Sequence, residues 1–125
     1  MNVLTLEQLL EIHALVVKVT GGSVGLRDLG RLEAAIASQT QNVFGEELYP
    51  TPLDKSAAIM RGIIADHPFV DGNKRTAMLA GLTFLDINNV TFSAKTNEIE
   101  NFAVRIATDH LDIPQIVEWL RRHTM

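Results

Sequence analysis

The sequence predicts an all-α domain of about six helices packed around one central, buried helix. Three observations lead to this prediction. Apolar residues recur three and four positions apart along most of the chain. Residues that cap helices stand at the start of several of these segments. With 125 residues, of which 46% are hydrophobic and 21% charged, the chain suits one domain spanning residues 1–125.

The first third of the chain predicts two helices and an irregular segment. Thr5 and Gln8 form a capping box for the first helix, and the glycines at 21 and 22 end it. His13 lies on its apolar stripe, which favours a core histidine over a ligand. A second helix is predicted to begin near Asp28. Residues 41–50, with an aromatic near each end and a glycine inside, predict a loop or short hairpin.

The third helix is predicted to begin at Thr51, which caps it, with Pro52 in the first helical position. Apolar residues then follow at helical spacing: Leu53, Ala57, Met60 and Ile64. Pro68 ends the segment, because the residue before a proline is disfavoured in the α region. His67 is therefore expected at or beyond the end of this helix.

A fourth helix is predicted from about Asn73 to the asparagines at 88 and 89. Its middle, residues 77–85, is apolar on nearly every side, which predicts the central helix, buried all round. Residues 90–92 form a short extended piece. Two more amphipathic helices follow, and the second is capped by Asp112.

Composition excludes several kinds of protein. The chain has no cysteine, so disulfides, thiolate metal sites and cysteine nucleophiles are absent. The net charge of -4 argues against direct nucleic-acid binding, which favours a basic surface. The longest apolar run is far shorter than the roughly 20 residues of a membrane-spanning helix. No leader segment is recognisable, so a cytoplasmic protein without membrane contact is expected.

Residues 67–76, HPFVDGNKRT, carry the chemistry. The start of a helix attracts anions, because its first N–H groups lack partners and the helix dipole places positive charge there. Lys74 and Arg75 add two cations, and Gly72 lets a ligand approach the backbone. Cations in a first turn cost about 0.3–1 kcal/mol each. Two of them together favour a bound phosphate over a merely solvated turn.

The other polar residues of this stretch complete a phosphate-handling site. Asp71 beside a phosphate would be repulsive unless a divalent ion bridged them, which implies Mg²⁺. Asn73 either caps the fourth helix or holds a phosphate oxygen. His67 is placed to take a proton from an attacking hydroxyl. These residues indicate phosphate chemistry and leave the reaction open.

The stretch resembles the motif of the Fic/Doc superfamily, HPFx[D/E]GN[G/K]R, and most closely its death-on-curing (Doc) toxin branch. Residues 21–36, GGSVGLRDLGRLEAAI, and residues 44–50, FGEELYP, resemble that branch too, so most of the chain is covered. The resemblance implies a Fic/Doc-like fold with a flap at residues 44–50, where a target segment would pair with the main chain.

The resemblance also implies individual roles. His67 matches the general base and Asp71 the Mg²⁺ ligand. Gly72 matches the glycine of the anion hole, and Asn73 the residue that holds the phosphate loop and its guest. The nucleotide phosphates would be bound by the remaining pair, Lys74 and Arg75.

Two departures from protein-AMPylating Fic enzymes bear on the reaction: Lys74 replaces a glycine, and Met78 replaces a second arginine. In the Doc branch this pattern goes with an inverted nucleotide. The resemblance therefore implies a kinase-like toxin that transfers phosphate from ATP to a threonine of elongation factor Tu and halts translation. AMP transfer to a protein hydroxyl is the alternative. A non-catalytic nucleotide-binding module and an RNase-type toxin are further alternatives.

Many Fic proteins are restrained by an inhibitory helix with the pattern [S/T]xxxE[G/N], which residues 96–101, TNEIEN, match. The same stretch offers a simpler interpretation, in which Asn97 and Glu100 form a capping box for the fifth helix. Inhibition in the Doc branch comes from a separate antitoxin. We therefore expect a cognate antitoxin and give the stretch no inhibitory role.

Overall fold

The computed structural model describes all 125 residues and confirms the all-α class, with six helices and one small hairpin. The helices are α1 (Leu6–Thr20), α2 (Leu29–Ala37), α3 (Pro52–Asp66), α4 (Asn73–Ile87), α5 (Thr96–Thr108) and α6 (Ile113–Arg122). The hairpin strands are β1 (Asn42–Val43) and β2 (Glu46–Glu47), and a 3₁₀ turn, Ser38–Thr40, follows α2. None of the six helices is both long enough and apolar enough to span a membrane.

Most helix ends lie where the sequence predicts them. The N–H of Gln8 donates to the Thr5 hydroxyl over 3.2 Å, and the N–H of Thr5 donates to the Gln8 side chain over 2.9 Å. Thr51 and Asp112 form capping boxes of the same kind at α3 and α6, and the Asp28 side chain caps α2 by accepting from the Arg31 N–H. These caps satisfy backbone donors that would otherwise lack partners.

The core is organised around α3 and α4 together. Helix α3 packs against α2, α4, α5 and α6, whereas α4 packs against α1, α3 and α5. The two central helices approach closely at Gly81, whose carbonyl accepts a hydrogen bond from the Ser56 hydroxyl over 2.8 Å. A side chain at position 81 would collide with Met60.

Helix α4 is central and its middle is mostly buried, as predicted, but one strip of its surface is open. Lys74, Arg75 and Asp86 are exposed, and Leu79 retains 37% of its accessible surface. The reason is that only three helices cover α4, which leaves one strip of its surface open. That strip begins with the two cations of the predicted site.

The predicted hairpin is present and contacts the start of α3. Phe44 and Gly45 form its turn with positive φ, and the Phe44 side chain is fully exposed. Glu47 pairs with Lys55 over 3.1 Å, near the start of α3. His67 follows twelve residues later, about 18 Å along the helix axis. No residue of the hairpin lines either of the two clefts that His67 borders.

Helix α5 begins differently from the prediction. Its start is capped by Glu98, whose carboxylate accepts a hydrogen bond from the Lys95 N–H over 3.2 Å. The predicted capping box of Asn97 and Glu100 is therefore wrong. The backbone hydrogen bond from Lys95, and secondly the contact with His123, lower the pKa of Glu98. The extended piece before α5 pairs once with the chain end, Phe92 with Thr124.

Candidate active site between α3 and α4

Helix α3 ends at Asp66, and His67, the C-cap residue that follows, adopts a left-handed conformation with φ 48° and ψ 59°. Two arginines from the α2 side satisfy the carbonyls at this end. Arg27 donates from Nε to the His67 carbonyl and from Nη2 to the Asp66 carbonyl, each over 2.7 Å. Arg31 donates from Nη1 to the Asp66 carbonyl over 2.9 Å. These cations also complement the negative end of the α3 dipole.

The loop between α1 and α2 pairs with the segment that follows His67. The N–H groups of Arg27 and Asp28 donate to the Pro68 carbonyl over 2.7 and 2.9 Å, and Val70 donates to the Gly25 carbonyl over 2.9 Å. A Cβ at position 25 would stand 2.8 Å from the Val70 side chain. Glycine at this position therefore permits the close backbone pairing that fixes the path of the loop.

Asn73 closes the loop from the other end. Its Oδ1 accepts from the Phe69 N–H over 3.0 Å, and its Nδ2 donates to the Phe69 carbonyl over 2.9 Å. The residue is nearly buried, at 9% exposure. Gly72, which has no side chain to form a cap, occupies the N-cap position of α4, so the capping role considered for Asn73 is not the one observed. Its amide holds the loop through both of its hydrogen-bonding groups.

His13, on α1, packs against the loop between α3 and α4. The prediction of a core histidine is confirmed, since it is 3% exposed and its ring stacks on Phe69 with a centroid distance of 3.6 Å. Its Nε2 lies 2.8 Å from the Asp71 carbonyl oxygen. Because a carbonyl only accepts, this nitrogen carries a proton and donates. The histidine therefore fixes the backbone of the residue expected to bind Mg²⁺.

The Asp71 carboxylate is held in place by the α1–α2 loop. The N–H of Ser23 donates to Oδ2 over 3.0 Å, while Oδ1 has no hydrogen-bond partner within the protein. Gly22 lies so close that a Cβ there would stand 3.3 Å from the Asp71 Cβ. One oxygen of this oriented carboxylate is thus left without a partner in the protein.

Gly72 is required by its backbone conformation, with φ +77°. A Cβ at this position would point at α1, 3.3 Å from a methyl group of Val16. The glycine therefore serves the left-handed turn and the packing against α1. This reason differs from the close ligand approach that the sequence suggested.

The six predicted site residues line one cleft of about 560 Å³. The cleft lies over the start of α4 and is completed by residues from the end of α1. Unlike α1, α2, α3 and α6, helix α4 has no side-chain cap, and its first turn contains no acidic residue. The Lys74 side chain is exposed and makes no hydrogen bond or ion pair in the protein. The predicted residues that meet in this cleft are His67, Asp71, Gly72, Asn73, Lys74 and Arg75.

Arg75 has a single charged neighbour. Its Nη2 lies 3.8 Å from a carboxylate oxygen of Glu100, and both side chains are about half exposed. Glu100 belongs to the TNEIEN stretch at the start of α5. An exposed pair at this distance is a weak interaction, typically worth less than about 1 kcal/mol.

Sequence reasoning missed four residues that build this site: His13 as a support, and Ser23, Arg27 and Arg31 as hydrogen-bond donors. Each acts on a residue at least 35 positions away in the chain. Ser23, Arg27 and Arg31 lie within residues 21–36, which resemble the Doc branch. That resemblance assigned no role to any individual residue of the segment.

The fold and the cleft define the class of protein: an all-α domain with a histidine, a carboxylate and two cations around an uncapped helix start. A family model described as Fic/DOC family matches residues 3–85. The chain is 40% identical over 98 residues to "Toxin Doc" of Mycolicibacterium smegmatis (strain ATCC 700084 / mc(2)155), covering 77% of this chain and 75% of that protein. It is 32% identical over 116 residues to "Protein kinase doc" of Escherichia phage P1, covering 93% and 90%. The chain therefore belongs to the Fic/DOC family, and the resemblance to its Doc branch is confirmed.

The contacts of Arg27 predict a large effect of its removal. Arg27→Gln leaves the His67 carbonyl without its charged donor and removes one of the two charged donors to the Asp66 carbonyl, so the free energy of unfolding should fall by about 1–3 kcal/mol. Urea denaturation measures this change. Arg121→Gln is the control, because Arg121 forms only an exposed pair with Glu118 and should cost about 0.5 kcal/mol or less. Equal losses in the two variants would contradict the role given to Arg27.

Proposed function

We propose that the protein is the toxin of a toxin–antitoxin pair and transfers a phosphoryl group from ATP to a threonine hydroxyl of elongation factor Tu, arresting translation. The observation that carries this proposal is the uncapped, doubly cationic start of α4, which faces a cleft shared with His67 and Asp71. The names of the two relatives, "Toxin Doc" and "Protein kinase doc", support it.

The cleft suits a nucleotide by size and charge. Its volume of about 560 Å³ lies within the range of roughly 300–1,000 Å³ that is usual for small-molecule sites. Backbone N–H groups, Lys74 and Arg75 all favour anionic oxygens at the helix start. The guanidinium of Arg75 can hold two phosphate oxygens, whereas Lys74 acts as a point charge.

The single free carboxylate fits Mg²⁺. No group of three His, Asp or Glu side chains stands close enough to form a complete metal site. Magnesium is commonly held by one or two carboxylates, with waters and phosphate oxygens completing its shell. Asp71 would therefore hold the ion through Oδ1, and the ion would neutralise charge on the bound phosphates.

In the proposed reaction, His67 accepts the proton of the threonine hydroxyl. The hydroxyl oxygen forms a bond to the γ-phosphorus as the bond from that phosphorus to the β–γ bridging oxygen breaks. ADP leaves and the target carries the phosphoryl group. Lys74 and Arg75 stabilise the charge on the transferring group and on the leaving diphosphate.

Lys74 is the residue that bears on which phosphate of the nucleotide, γ or α, faces the target hydroxyl. Its ammonium group has no partner in the protein and lies on the helix start where AMPylating Fic enzymes have glycine. A long cation there fills space and adds charge, which favours a different placement of the nucleotide. This supports phosphoryl transfer, with AMP transfer as the competing reaction of the same site.

Control of such a toxin would come from a separate antitoxin protein. The one internal contact on the phosphate-binding cations, between Glu100 and Arg75, is long and half exposed. An interaction of this strength does not block a site on its own. A cognate antitoxin acting in trans is therefore part of the proposal.

Label transfer tests the reaction directly. With purified protein, bacterial elongation factor Tu and Mg²⁺, ATP labelled at the γ-phosphate should label the target, whereas ATP labelled at the α-phosphate should not. His67→Ala should abolish transfer while keeping nucleotide affinity. Lys74→Gly tests the direction, because it should reduce γ-label transfer by at least about tenfold. Label arriving only from the α position would refute phosphoryl transfer and favour AMP transfer.

The weakness of the Glu100 contact gives a second prediction. Glu100→Gln should raise the transfer rate, or toxicity in cells without antitoxin, by less than about fivefold, since the exposed pair contributes under about 1 kcal/mol. Glu118→Gln, which breaks another exposed pair far from the cleft, is the matched control. A much larger increase for Glu100→Gln alone would mean that α5 restrains the enzyme.

A further inference from the structure

The buried histidine of α1 contacts the loop between α3 and α4 in two ways. The ring of His13 stacks on Phe69 with the two planes 7° apart, and its Nε2 donates to the Asp71 carbonyl over 2.8 Å. An apolar ring could supply the stacking equally well. Burying a polar group costs free energy unless the group is hydrogen-bonded. The bond to Asp71 is therefore what distinguishes histidine from an apolar residue at this position.

That bond fixes the orientation of the peptide group between Asp71 and Gly72. The chain contains no cis peptide bond, and the C=O and N–H of a planar trans peptide point in opposite directions. Because the Asp71 carbonyl is directed at His13, the Gly72 N–H is directed away from it. This N–H donates to no acceptor within the protein, and neither does the N–H of Asn73. The histidine thus sets the direction of an unpaired backbone donor.

The conformation of the next residues brings these donors together. Gly72 is left-handed, with φ 77° and ψ 17°, and Asn73 begins the right-handed helix α4. Successive residues of opposite hand direct neighbouring N–H groups into one concavity, which binds anions. Asp71, Gly72 and Asn73 line the cleft over α4, whereas His13 does not. The side of the loop opposite His13 is therefore the side that meets the cleft.

We propose that His13 is a positioning residue of the phosphate site: by holding the Asp71 carbonyl, it directs the Gly72 N–H into the cleft, where this group donates to a phosphate oxygen of the nucleotide. The inference rests on the proposed function. A hydrogen bond to the carbonyl also polarises the N–H of the same peptide, which makes it a stronger donor. His13 contacts neither nucleotide nor target and acts only through this peptide.

Two substitutions separate the two contacts of His13. His13→Phe keeps a flat ring on Phe69 and removes the hydrogen-bond donor. His13→Gln removes the ring and keeps a donor, because the glutamine amide nitrogen can occupy the place of Nε2. Phe102→Leu is the control for lost stability, since it breaks a stacked pair with Trp119 between α5 and α6, with a centroid distance of 4.1 Å. Circular dichroism and urea denaturation give the fold and stability of each variant.

The Gly72 amide gives a readout that does not depend on the reaction. Labelling with ¹⁵N-glycine makes only eight backbone amides visible by NMR. Saturating MgATP should move the Gly72 proton resonance downfield in the wild type, in His13→Gln and in Phe102→Leu, whereas adenosine, which lacks phosphate, should not. In His13→Phe the shift should be less than about half as large, because the peptide is no longer held. Equal shifts in His13→Phe and the wild type would overturn the inference.

Kinetics provide a second, independent readout. His13→Phe should lower the kcat of γ-label transfer by at least about tenfold, because a donor to the charged phosphates is misdirected. The KM for elongation factor Tu should stay within about twofold, since His13 makes no contact with the target. His13→Gln should recover at least about threefold of the lost kcat. Losses of kcat that simply follow the loss of stability across the three variants would show a merely structural role and refute the inference.

The two readouts together distinguish failure of this inference from failure of the proposed reaction. A Gly72 shift that depends on His13, with no label transfer by the wild type, would refute the reaction and support the role of His13. Label transfer by the wild type, with an equal kcat in His13→Phe, would refute the role of His13 and leave the reaction standing.

Discussion

The site depends on one constraint: the six residues 67–72 must connect the end of α3 to the start of α4 in a single fixed path. The amide of Asn73 enforces that path by bonding both backbone groups of Phe69. The Phe69 ring is held in turn by the stacked ring of His13. With the loop closed in this way, His67 at one end and the cations at the other face the same cleft. Preorganisation of this kind reduces the cost of ordering the site when a ligand binds.

The two helix ends that meet at this loop differ in whether the protein satisfies their backbone groups. The carbonyls at the end of α3 are satisfied by Arg27 and Arg31, which neutralise the negative end of the helix. The start of α4 has no cap and no acidic residue, and it carries Lys74 and Arg75 instead. One helix end is therefore complete within the protein, whereas the other presents unpaired donors and positive charge. This asymmetry favours an anion at the start of α4, which is what the proposed phosphate site requires.

The sequence predicted whatever depends on neighbours in the chain. Helix caps such as Thr5 and the turn at His67 follow from local backbone chemistry, and all six predicted site residues lie in one cleft because one short segment supplies them. Contacts between distant segments could not be predicted, and the hold of Ser23 on Asp71, across 48 residues, is an example. The start of α5 was predicted wrongly because two overlapping pairs have capping-box spacing, and only the structure distinguishes Glu98 from Glu100. The position of the hairpin likewise depends on packing at the far end of α3.

The central claim is that the protein itself holds the loop in its active path before any nucleotide binds. Amide hydrogen exchange, followed by NMR in the ligand-free protein, tests it most directly at the Phe69 N–H. We predict that this amide is protected in the wild type, and that Asn73→Ala removes its protection and weakens MgATP binding. A Phe69 amide that exchanges as fast as an exposed loop, and becomes protected only after MgATP is added, would contradict the account.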